Sequence, residues 1–303
     1  MADRTKRLDT NIEGNFYVDS TCINCDTCRQ LAPKTFEEVG EFSSVLRQPD
    51  GGQQLHQAYQ ALLACPVGSI GTDHSDQRML QDAKAGFPMP LEGGVSYCGF
   101  NSEKSFGANS FFVEHPDGNW LIDSPRYITQ LVECFEQRGG IRYIFLSHED
   151  DVADSDRYAK QFGAVRIIHQ ADAEAGPGAE RIIEGEQTIQ LAPRFQAIPV
   201  PGHTPGSMVL LYDERFLFTG DHLWWNPESK TLGAPQRLVW RERALVASIE
   251  KLLAYRFEWV LPGHGNRIRL PATEMNAAVQ ELIRRRRATK LSRTRSLRSL
   301  PPQ

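Results

Sequence analysis

No apolar run in this 303-residue chain approaches the 18 or so residues that a membrane span needs. The opening segment MADRTKRLDTNIEGNF lacks the apolar stretch of a secretory leader, so the reducing cytoplasm is the expected compartment. There is no recognisable flavin or nicotinamide motif and no internal repeat. Cysteine is scarce, six in all, and crowded rather than dispersed, which argues against a disulfide framework. Acid is missing altogether from Arg284 to Arg298, where RRRRATKLSRTRSLR carries eight basic residues. Removing those eight from a net charge of -4 leaves -12 on the rest. Such a basic tail can contact nucleic acid, an anionic lipid surface or an acidic partner. A solvated terminal segment is the plainer reading.

What is present begins with Cys22, Cys25 and Cys28 in DSTCINCDTCRQLAP, joined later by Cys65-Pro66 in LLACPVGSI. Three thiolates at two-residue gaps can wrap three corners of a cuboidal iron–sulfur cluster, and a distant fourth can close it. Zinc also uses paired cysteines, but usually as two separated pairs rather than a triplet and a lone Cys-Pro. The array resembles a ferredoxin domain with one 4Fe–4S cluster, since a second C-x2-C-x2-C-x3-C-P run is absent. Cys22, Cys25, Cys28 and Cys65 are its implied ligands, and the resemblance covers about the first quarter of the chain.

The length suffices for a small domain and a larger one, each with its own core. The cysteine domain is expected over residues 1–85. Gly86 to Gly94, GFPMPLEGG, reads as a linker, and a second domain is expected over 95–283 with a basic tail at 284–303. Asn109 to His115 and Asn119 to Asp123 flank Pro116-Asp117-Gly118 as a hairpin. Helices are expected over Tyr127 to Gln137, Ser155 to Phe162, Arg243 to Tyr255 and Pro271 to Arg287. Strands are expected at Ile141 to Leu146, Val165 to His169, Met208 to Tyr212, Phe216 to Thr219 and Glu258 to Leu261. Hairpins mixed with helices predict a layered α/β (α+β) fold rather than a doubly wound parallel sheet.

Four segments beside these strands gather metal-binding side chains: Ser147 to Asp154 (SHEDDVAD), PGHTPGS around His203, FTGDH around Asp221, and LPGHG around His264. Together they resemble the metallo-β-lactamase superfamily, from about Gly94 to Ile283. That resemblance implies an αββα sandwich with one or two metal ions at the sheet edge. The first motif of the family, H-x-H-x-D-H, is altered: His148 matches, Asp150 replaces the second histidine, and Val152 and Ala153 replace the aspartate and third histidine. One ion could still be held by His148, Asp150, His203 and Asp221. The other site would keep only Asp221 and His264, unless Asp151 and Asp154 compensate. A carboxylate in place of an imidazole favours iron, manganese or magnesium relative to zinc. Flavodiiron reductases, in the same superfamily, are similar in that substitution but retain the Asp-His that follows. A decayed, metal-free site is the alternative.

Other side chains carry less. His222 could face the metal or make a hydrogen bond, and His169 reads as a capped surface residue. Trp224 and Trp225 read as packing residues or a pocket entrance, Cys98 and Cys134 as packing thiols. His56, His74 and His115 carry no signal.

The resemblance implies a metallohydrolase using an activated water on a small substrate, with Asp150, Asp151 and His264 assisting. The alternative is a redox protein whose cluster exchanges electrons with the metal or substrate of the second domain, with a redox partner protein. A non-catalytic redox sensor is the third reading.

Overall fold

The computed structural model describes residues 2–298, with side chains placed through Ala288. The remainder of the expected basic tail, 299–303, lies outside the described residues. The chain divides into two compact units: Met1–Ile168 with Ala173–Ile183 and Gly263–Gly265, and His169–Asp172 with Glu184–Pro262 and Asn266–Gln303.

The first unit opens with β1 (Phe16–Val18), α1 (Thr27–Leu31), a hairpin of β2 (Phe36–Val39) and β3 (Phe42–Val45), α2 (Gly52–Ala64), β4 (Ile70–Thr72) and α3 (Gln77–Ala85). β1 and β4 pair antiparallel, Tyr17 opposite Gly71. This brings Val18, just before the cysteine triplet, level with Ile70, just after Cys65-Pro66. The cysteine-bearing segments are thus tied at both ends by one short ladder.

A seven-stranded sheet follows: β5 (Met89–Glu92), β6 (Val95–Tyr97), β7 (Phe111–Val113), β8 (Trp120–Ile122), β9 (Tyr143–Phe145), β10 (Val165–His169) and β11 (Arg181–Ile183), in the order 11-10-9-8-7-6-5. The Pro/Gly-rich stretch that reads as a linker therefore contains a strand. Proline is tolerated there because β5 is an edge, where a missing amide donor can go unpaired. Hairpin pairing runs antiparallel from β5 to β8, and β8–β9 and β9–β10 are parallel. The two parallel crossovers carry α4 (Thr129–Gln137) and α5 (Ser155–Phe162), as parallel strands require. Leu131 and Phe135, four residues apart, both face the core. The Phe135 ring stacks on Phe112 with centroids 4.6 Å apart and meets Tyr158 of α5 edge-on. Each such ring contributes about 1.5–3 kcal/mol by burial.

The second unit holds a sheet of β12 (Ile189–Ala192), β13 (Phe195–Pro199), β14 (Met208–Tyr212), β15 (Phe216–Gly220), a small hairpin of β16 (Trp224–Asn226) and β17 (Thr231–Gly233), then α6 (Glu242–Lys251), β18 (Trp259–Pro262), β19 (Ile268–Arg269) and α7 (Ala272–Arg298). The main sheet has the order 12-13-14-15-18-19. Ile198, Val209, Leu217 and Val260 meet Leu245 and Ile249 of α6 in one buried cluster with residues of α7. Met275, Val279 and Leu282 reach that cluster because i, i+4, i+7 spacing places them on one helix face. α7 continues beyond Arg287 to Arg298. Ala, Lys, Leu and Arg are good helix formers, and no glycine or proline intervenes.

Candidate cluster and metal sites

Cys22, Cys25, Cys28 and Cys65 line one cavity, whose other walls include Val18, Ile23, Val67 and Ile70. All four are free thiols. Cys25 Sγ lies 3.4 Å from Thr27 Oγ1, and Cys65 Sγ lies 3.4 Å from Ser69 Oγ. The amides of Asn24 and Ser43 donate to Cys22 Sγ at 3.4 and 3.5 Å. Burial pushes the Cys25 thiol up to about 12, against smaller lowering by Thr27, and pushes Cys28 up as well. Bare thiolates are therefore disfavoured here, and iron would supply the missing positive charge. Apolar walls, converging sulfurs and N–H···S donors fit a cuboidal cluster.

The loop between β6 and β7 packs against Cys25 and Pro66 at Gly107. Gly107 has φ +86°, and a Cβ there would stand 2.7 Å from Cys25 Cβ and 2.9 Å from its sulfur. Its carbonyl accepts from Asn101 Nδ2 at 2.7 Å and Thr27 Oγ1 at 3.3 Å. Asn101 is fully buried, and its Oδ1 accepts from Tyr97 OH at 2.7 Å. Next in the chain, the Phe106 ring lies 6.3 Å from the ring of His264. The Asn109 amide donates to Gly263 O at 2.6 Å.

His148 ends the run that begins in β9. Its predecessor Ser147 is fixed by its amide, which donates to Asp123 Oδ1 at 2.8 Å, and Ser147 Oγ lies 2.9 Å from His148 Nδ1. Asp151, buried, stands 3.8 Å from His148 Nδ1, whereas Asp150, 60% exposed, stands 3.7 Å from Nε2. Asp154 is engaged elsewhere, by Lys104 Nζ at 2.6 Å and the Tyr127 amide at 3.0 Å.

In the second unit, His203 sits in the turn between β13 and β14. Its Nδ1 lies 2.6 Å from the Leu238 carbonyl, an acceptor that holds the proton on Nδ1. Nε2 is left as the acceptor nitrogen, 3.7 Å from Asp221 Oδ2. A carbonyl behind one ring nitrogen is the usual support of a metal-ligating histidine. The turn itself is braced by Asp172, which accepts from Thr204 Oγ1 at 2.5 Å and the Gly206 amide at 2.7 Å. A Cβ on Gly206 would fall 2.5 Å from Asp172 Cγ, so the brace needs glycine there. Asp172 and Leu238 carry no sequence signal, because each acts on a segment remote in the chain.

His222 is buried, and among the described residues neither ring nitrogen has a hydrogen-bond partner. Burial, then the neighbouring charges of His203 and Arg286, lowers its pKa to about 3, so the ring is neutral. His169 is held by Gly185 O at 3.0 Å. Trp224 and Trp225 are half-buried in β16.

Residues 18–72 match the family model of the 4Fe-4S single cluster domain of ferredoxin I. Residues 105–264 match that of the metallo-beta-lactamase superfamily. A hydroxyacylglutathione hydrolase of Acidiphilium cryptum is 29% identical over 118 residues, covering 38% of this chain and 48% of that protein. The chain thus spans about half the length of that relative. The uncharacterized protein YobT of Bacillus subtilis is 27% identical over 212 residues, covering 58% of this chain and 91% of that protein. Among solved structures, an archaeal metallo-beta-lactamase superfamily protein from Sulfolobus tokodaii aligns with TM-score 0.45 at 16% identity, over 65% of this chain and 86% of that one.

Proposed function

The chain belongs to the metallo-beta-lactamase superfamily and carries a single-cluster 4Fe-4S domain, and from that membership we propose that it is a metal-dependent hydrolase of a small acyl substrate. Cys22, Cys25, Cys28 and Cys65 hold the cluster. In this reading His148, Asp150, His203 and Asp221 hold one divalent ion, with His264 as a further candidate ligand. The observation that carries the reading is His203, whose Nδ1 is tied to the Leu238 carbonyl while Nε2 faces the Asp221 carboxylate at 3.7 Å. A bound ion there would lower the pKa of water and polarise a scissile carbonyl.

The chain's own residues supply the rest. Ser147 Oγ, 2.9 Å from His148 Nδ1, orients that imidazole, and the buried Asp151 carboxylate stands 3.8 Å from the same nitrogen. Asp150, open to solvent, can accept a proton during hydrolysis. Val152 and Ala153 offer no ligand atoms, which favours one ion over two. Thioesters head the substrate panel because a relative bears the name hydroxyacylglutathione hydrolase.

A second reading is electron exchange between the cluster and the metal or substrate. It is favoured by the loop from Asn101 to Asn109, which touches Cys25 at Gly107 and His264 at Phe106. One experiment separates the two. Anaerobically purified protein is expected to hold about four irons in the cluster plus one further ion, and His203→Ala to lose only the further ion. Hydrolysis of an acyl-thioester panel by Cys25→Ser supports the first reading, provided the variant folds. Loss of turnover in that folded variant supports the second. No further ion in either protein sinks both.

A further inference from the structure

Arg126, in the sheet-bearing part of the first unit, runs to the helix that delivers Cys65 and lies outside the segment matched by the cluster-domain family. Its backbone is fixed at both ends of the residue: the amide donates to Phe100 O at 2.9 Å, and the carbonyl accepts from Tyr158 OH at 2.9 Å. From that anchor the side chain runs to the end of α2, where Nη2 donates to Leu63 O at 3.0 Å. Leu63 is two residues before Cys65, so the guanidinium sits at the carboxyl end of the helix that delivers the fourth cysteine. Its Nε is buried and has no hydrogen-bond partner among the described residues. The chain keeps this charged donor half-buried, with a carbonyl alone accepting from it at Nη2.

Burial lowers the pKa of Arg126, and the charge of Cys65 is the largest influence that opposes this, ahead of Asp154. An arginine nevertheless stays charged in proteins. The carboxylate whose charge acts on it, Asp154, is also bound by Lys104 Nζ and the Tyr127 amide and offsets it only in part. Arg29, the other cation near the cysteines, has Glu38 at 3.8 Å to offset it. Arg126 thus brings a positive charge to the end of the helix that leads into Cys65.

We propose that Arg126 sets the reduction potential of the cluster, so that the metallo-beta-lactamase part of the chain decides how readily the cluster accepts an electron. The physical basis is charge. Four thiolates and the cluster core carry net negative charge, and one-electron reduction adds one more. A fixed, half-buried cation stabilises the more negative, reduced state and raises the potential. The inference rests on the cluster alone and not on the hydrolytic reading, so either can fail without the other.

The test is a mediated dithionite titration of the anaerobically purified full chain, following visible bleaching and the EPR signal of the reduced cluster. At the potential where the native protein is half reduced, Arg126→Gln is expected to lower the reduced-to-oxidised ratio about tenfold, which is about 59 mV for one electron. Arg126→Lys, which keeps the charge without the fork, is expected to stay within about threefold of native. A ratio changed less than twofold in Arg126→Gln, with iron and sulfide content intact, overturns the proposal. Should Arg126→Gln hold no cluster, Asp154→Asn decides. Removing the carboxylate that partly offsets Arg126 is expected to raise the ratio, and an unchanged or lowered ratio overturns the proposal.

Discussion

Gly107 carries more of the cluster cavity than its lack of a side chain suggests. At φ +86° it occupies backbone space that an L side chain rarely adopts, and it does so in contact with Cys25. Gly107→Ala meets two penalties, about 1–3 kcal/mol for the left-handed conformation and a clash with the Cys25 side chain. The expected outcome is a protein that folds but retains less than half of the native iron and acid-labile sulfide, measured after anaerobic purification. Native cluster content in that variant would show that the loop yields at no cost. His203 makes a related point in the second unit, where the backbone carbonyl of Leu238 selects the nitrogen that is left to bind.

Among the elements, β10 is joined to the segment before β11 by the ion pair of Arg166 and Glu180. The Arg166 amide and Nη2 donate to the Glu180 carboxylate at 2.7 and 3.0 Å, and Arg166 is only 7% exposed. Glu180→Gln leaves a buried guanidinium without its counter-charge. The expected loss is about 1–2 kcal/mol, moderated because the carboxylate itself is half-exposed, read from urea unfolding. Burial pushes the Glu180 carboxyl up, but the hydrogen bonds from Arg166 outweigh it, and its pKa lies below the ordinary 4.5. A depressed carboxyl contributes stability above its unfolded pKa and loses it as pH falls through the folded value. The difference between native and Glu180→Gln is therefore expected to be constant from about pH 5.5 to 7 and to shrink below 4.5. A difference that stays unchanged in acid contradicts this account.

At the scale of the molecule, the cluster-bearing segment and the sheet of the first unit share a buried polar knot. Asn101 Nδ2 bonds Gly107 O, Thr27 Oγ1 at 3.1 Å and Asn109 Oδ1 at 3.3 Å, and the Asn109 side chain donates to Gln30 Oε1 at 3.2 Å. Removing Asn101 strands several buried partners, each costing about 1–3 kcal/mol. In the native protein, bleaching of the cluster and loss of far-UV circular dichroism from this unit are expected to coincide on heating. In Asn101→Ala bleaching is expected to come first, by several degrees. Coincident transitions in the variant would show that the two parts are held together elsewhere. No helix among the described residues is long and apolar enough to cross a membrane.

By itself the sequence determined the cysteine quartet, the two family resemblances, and the strands and helices around PGHTPGS and FTGDH. Those features are local: three thiols within one loop, an apolar alternation, a glycine beside a histidine, all within reach of short-range pattern. Even there the stretch from Gly86 to Gly94 reads as a linker, because turn residues outweigh pattern when a strand is short and at an edge. Only the tertiary structure decided which groups stand behind the candidate ligands. Asp172 braces the His203 turn, Leu238 orients its ring, Asp123 holds Ser147, and Arg126 reaches the helix that ends at Cys65. Each joins chain segments tens of residues apart, and an isolated aspartate, leucine or arginine has no periodicity to betray its partner. Arg126 is charged in any state of the chain, but only folding sets it against the helix that ends before Cys65.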